Sequence, residues 1–114
     1  MNFFRVFLNN TIYEKNFCYA INPLEAVKID PDPSLYFISR REERGKLDAG
    51  EYYIVQTEND LHKTGELLNL AIELQKEALW NRFKLNSELY LRSFSEDGSA
   101  VTQLWRPIIG NNLL

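Results

Sequence analysis

At Thr57 the hydrophobic pattern of this chain changes period. Before it, apolar residues fall in short runs rich in aromatic and β-branched side chains. After it, Leu61, Leu67, Leu68, Leu70, Ala71, Ile72, Leu74, Ala78, Leu79, Phe83 and Leu85 recur at helical spacing, and from Glu88 the alternating pattern returns. A period of two marks strands and one of 3.6 marks helices, so strands must flank one major helical segment. Thr57 and Asp60 are both candidate N-caps, and the spacing predicts a single long helix running to Leu85, broken at most near Gly65.

The runs before the switch read as strands and turns. Residues 3–8 and 11–19 are separated by Asn9-Asn10, which tolerates positive φ, and this predicts a hairpin. A two-residue turn there sets Phe7 opposite Ile12 and Arg5 opposite Glu14. Asn22-Pro23-Leu24-Glu25 has the signature of a helix start, and Asp30-Pro31-Asp32-Pro33 stops that helix early. Residues 34–40 and 51–57 are predicted strands, joined by an exposed charged loop from Arg41 to Gly50. Residues 88–94 and 100–106 form a last predicted hairpin around Ser95-Glu96-Asp97-Gly98-Ser99, with Pro107 ending the strand before an apolar tail. The order ββ-α-ββ-α-ββ implies an α+β, two-layer domain, an antiparallel sheet of hairpins packed on one long helix in the C-terminal half.

With 114 residues the chain has material for one core, so residues 1–114 are read as a single domain. Seven Phe, six Tyr and two Trp, against only five Gly and four Pro, exclude intrinsic disorder as its main state. The net charge is −3, shared between the halves: seven Lys and Arg against eight Asp and Glu in residues 1–57, six against eight in residues 58–114. Neither half is a basic domain of the kind that neutralises phosphates. Cys18 is the single cysteine, which excludes an internal disulfide and a thiolate cluster; its apolar context reads as an inert thiol in a reducing compartment. The apolar stretch near the N-terminus is too short for a leader or a membrane span, so the expected location is cytoplasmic, with no membrane contact.

The helix carries the functional signal. Its apolar positions fill an arc of roughly 220°, whereas a helix on one sheet needs little more than about 100°. The excess is expected either to be covered by the short helix, tail or loops, or to meet a partner through the flank with Leu67, Leu70, Leu74 and Ala78. Trp80 falls on the polar arc with His62, Glu66, Asn69, Glu73, Lys76, Glu77 and Lys84, and tryptophan is over-represented at interface hot spots. It is the leading candidate for a partner contact.

Catalysis finds little support. His62, Glu66 and Glu73 share a helical face and suit a small metal or acid–base site only as a secondary reading, since two ligands on a solvated face are ordinary. No nucleophile–base–acid signature and no glycine-rich phosphate loop occurs, so no catalytic residue, metal or cofactor is assigned. Arg40, Arg41, Arg44 and Lys46, near Tyr36, Tyr52 and Tyr53, offer the cation and aromatic mixture of a single-strand nucleic-acid binder, diluted by Glu42, Glu43 and Asp48. The leading expectation is a small intracellular, non-enzymatic interaction module: an adaptor, chaperone-like factor or inhibitor of a larger protein. Such a chain suits a phage or mobile element. Its expected partners are another protein or a second copy of itself as a homodimer, with nucleic acid as the alternative.

Overall fold

The computed structural model describes residues 1–13, 17–20, 42–43, 46–58, 64–86 and 88–111. In chain order the strands are β1 (Asn2–Leu8), β2 (Ile12–Tyr13), β3 (Phe17–Ala20), β4 (Glu42–Glu43), β5 (Lys46–Leu47) and β6 (Gly50–Thr57). Helix α1 (Thr64–Trp80) follows, then β7 (Phe83–Leu85), β8 (Leu89–Glu96) and β9 (Ser99–Asn111). The main sheet runs β1-β6-β9-β8-β3-β4, with β7 also on β9, every pair antiparallel, and it curls into a half-barrel. This corrects the expected two-layer α+β architecture: strand outweighs helix among the described residues, and the helix has 17 residues rather than the whole span from Thr57 to Leu85. The predicted short helix at Asn22 and the strand at 34–40 lie outside the described residues.

The spine is β9, thirteen residues long. Its residues 101–106 are buried on both faces, because alternate side chains enter two separate cores. Leu104 joins Tyr53, Val55, Leu89 and Leu91 beneath α1. Trp105 joins Tyr52, Ile54 and Tyr90 on the opposite face, under Leu47 of β5 and Ile12 of β2, which pair as a small two-stranded ribbon. A sheet covered on both faces reads as nearly continuous apolar sequence, and this is why Tyr52 to Val55 of β6 are all buried.

Two predicted pairings are replaced. Strand β1 pairs with neither residues 12–13 nor residues 17–20; it pairs with β6, with Arg5 opposite Tyr53 and Phe7 opposite Glu51, and Glu14, the expected partner of Arg5, lies outside the described residues. Ile12 instead lies opposite Leu47. The turn residues Asn9-Asn10 permit a hairpin, but the long-range partner buries β1 against an already covered strand. The last hairpin forms as expected between β8 and β9, with Asp97 (φ 50°) and Gly98 (φ 80°) making the tight turn.

Pro107 does not end β9. The β8 ladder reaches Trp105 opposite Tyr90, and β7 resumes the pairing at Ile108 opposite Leu85, so the missing N–H falls opposite the break between those strands. The Pro107 carbonyl still accepts from the Asn86 N–H at 2.8 Å. Arg106, only 5% exposed, fills the break: Nε and Nη2 donate to the Asn86 carbonyl and Nη1 donates to Gln75 of α1. Among the described residues no helix is long and apolar enough to cross a membrane.

Candidate interaction surface

The C-terminal end of α1 is built by a short set of polar bonds. Arg82 adopts a left-handed conformation (φ 64°) and its N–H donates to the Leu79 carbonyl at 3.0 Å, while the Asn81 N–H donates to the Glu77 carbonyl at 3.1 Å. The Asn81 side chain donates to that same Glu77 carbonyl at 2.9 Å and to the Tyr53 hydroxyl at 3.1 Å. These bonds stop the helix after Trp80 and turn the chain into β7. Phe83 and Leu85 fit a helical period as easily as an alternating one, and so the predicted helix runs past its real end.

Around this corner aromatic groups and cations gather. Phe83 packs edge-on against Tyr53, ring centroids 5.6 Å apart, and the Arg5 guanidinium lies 4.8 Å from the Phe83 ring centroid. Arg5 also sits 3.9 Å from Glu51. Burial, then the nearby Glu77 carboxylate, pushes the Tyr53 hydroxyl above its ordinary pKa, against the opposing pull of the Asn81 hydrogen bond and the Arg5 charge.

Trp80 projects outward. Ala78 is fully buried, and two residues on a helix turn roughly 200°, which swings Trp80 to the solvent side at 85% exposure. Leu79 beside it is 56% exposed. Arg82 and Lys84, the exposed cations that follow, have no ion-pair partner among the described residues.

The rest of the expected helix surface is corrected. Leu67, Leu70, Leu74 and Ala78 are each 3% exposed or less and pack with Val55, Leu89 and Leu104. The flank expected to meet a partner is the flank that meets the sheet. A 3.6-residue period gives the width of an apolar arc without saying which part faces inward. Across the arc, Leu68 and Ile72 are half-buried.

Of the alternative sites, Arg40, Arg41, Arg44 and His62 lie outside the described residues, and Lys46 is placed only as a backbone pair of Tyr13 in the ribbon. Glu66 is exposed, and Glu73 lies 3.7 Å from Lys76. Among the described residues no three acidic, histidine or cysteine side chains cluster as a metal site. At the far end of the sheet Glu58, Glu96, Asp97, Ser99 and Val101 line an open cleft of about 280 Å³. Beside it a polar chain crosses three strands that sequence reasoning missed: Arg92 and the Trp105 indole both donate to Gln103, which donates to Gln56 at 2.6 Å. Their spacing in the sequence carries no sign of it, because cross-strand register alone brings Gln56, Gln103 and Arg92 side by side.

Comparison with known proteins finds no family, no curated protein and no solved structure that matches this chain.

Proposed function

We propose that this domain is a protein-interaction module that seats Trp80 in an apolar pocket of a protein partner, with acidic groups on the partner's rim meeting Arg82 and Lys84. The observation that carries the reading is Trp80 at 85% exposure on a helix end that hydrogen bonds hold in place. Leaving an indole in water forgoes a large apolar burial, and presenting it on a rigid element keeps the entropy lost on docking small. Tryptophan and arginine are the residues most enriched among interface hot spots.

The test begins with capture on the immobilised domain from cells that encode it, followed by identification of the bound protein and titration of the two purified proteins. Trp80→Ala should raise Kd by about 30-fold or more, equivalent to roughly 2 kcal/mol. An Arg82→Glu, Lys84→Glu variant should weaken binding chiefly at low salt. Equal affinity for wild type and Trp80→Ala sinks the proposal.

A further inference from the structure

From the edge of the sheet we infer that a second copy of this chain docks along β1, the two strands pairing antiparallel across a two-fold axis to continue the sheet. Among the described residues β1 pairs only with β6, which leaves its outer row of backbone groups open. The opposite end of the sheet is blunted by β4, two residues long. In its own sequence β1 has few of the usual protections: it runs seven residues without proline, glycine or lysine and carries one charge, Arg5. Phe7, at 64% exposure, stands two residues from Arg5 on the same face of the strand.

The pattern along β1 selects both the occupant and the register, because a pairing centred on Phe4 sets Arg5 opposite Phe3, which already packs against the core, rather than opposite the exposed Phe7. A pairing centred on Arg5 sets two guanidinium groups opposite each other, which is unfavourable. Centring on Val6 sets Arg5 of each copy opposite Phe7 of the other, and Phe4 opposite Leu8. Both cation–aromatic pairs then lie on the face where Arg5 already covers Phe83, and an apolar row of Phe4, Val6 and Leu8 lies on the other. The same residues supply both halves of each pair, as a two-fold interface requires. A ladder this short predicts a weak dimer that dissociates on dilution. The strand pairing uses none of Trp80, Arg82 and Lys84, and its test reads self-association rather than affinity for another protein, so either proposal stands or falls without the other.

The test is the mass of the full chain in solution across a dilution series, for wild type, Phe7→Lys and Phe7→Glu, with a circular dichroism melt to check that each variant folds. Wild type should dimerise as concentration rises. Phe7→Lys places like charges opposite Arg5 and should raise the dimer Kd by about tenfold or more, whereas Phe7→Glu places an opposite charge there, at the cost of a like charge opposite Glu51 of its own β6 that the melt reads, and should keep Kd within about threefold of wild type. A wild type that stays monomeric at millimolar concentration overturns the inference. So does a dimer indifferent to Phe7→Lys, or one that both variants dissolve equally, which marks a non-specific apolar patch.

Discussion

Arg106 grips the carbonyl of Asn86 with two nitrogens, Nε at 2.9 Å and Nη2 at 2.6 Å, at the point where β7 stops and β8 has not begun. The break leaves that carbonyl without a ladder partner, and a buried unsatisfied acceptor costs more than a typical bond contributes. The same guanidinium holds Gln75 of α1, so one side chain ties helix to sheet at the interruption.

Replacing Arg106 therefore destabilises the fold. Arg106→Met, which keeps much of the apolar stem, should lower the unfolding free energy by about 2–4 kcal/mol in urea. Arg106→Lys should recover only part of this, because an ammonium lacks the planar fork. A loss below about 0.5 kcal/mol for Arg106→Met contradicts the assignment.

The inward flank of α1 gives a second expectation. Leu74 is fully buried, so Leu74→Ala should cost about 2–5 kcal/mol by deleting packed methyl groups and leaving a cavity. Thermal melts and solution mass check this placement: a core residue lowers stability and leaves association unchanged, while a surface leucine does the reverse.

Alkaline pH should unfold the protein through Tyr52. Its hydroxyl donates to the Asp48 carbonyl at 2.7 Å, and its pKa is pushed up to about 12, first by burial and then by the charges of Asp48 and Glu88. The folded state thus holds this proton where the unfolded chain, titrating near 10, has released it. The stabilisation is complete below pH 10 and is lost as pH rises towards 12. Tyr52→Phe should flatten that part of the stability–pH curve and cost about 1 kcal/mol at neutral pH for the lost hydrogen bond. An unchanged slope in urea titrations between pH 9 and 11 argues against this role.

The two tryptophans should separate spectroscopically. Trp105 is 6% exposed and Trp80 is 85% exposed, so iodide should quench most of the emission that Trp80→Phe removes and spare what remains. Equal quenching of wild type and variant places Trp80 under cover.

Much of the local structure was legible in the sequence, and much of the architecture was not. The Asp97-Gly98 turn and the alternation on either side of it specify β8 and β9 by local chemistry, and the run from Glu51 to Thr57 marks β6 in the same way. Asn9-Asn10 was an equally good turn signal and misled, because pairing β1 with β6 is decided by burial across more than forty residues of chain. The end of α1 depends on Arg82 at positive φ, a conformation its side chain does not advertise. Trp80 stands out by its helical angle alone, whereas the inward direction of Leu67, Leu70, Leu74 and Ala78 is set by the sheet beneath them.

The central claim is that Trp80 serves recognition rather than folding, and one paired titration tests it most directly. Calorimetry of the captured partner against wild type and Trp80→Ala, at matched folded fraction, should show Kd raised by about 30-fold or more with the melting temperature of the domain unchanged. An unchanged Kd, or a variant that loses affinity only because it unfolds, contradicts the account.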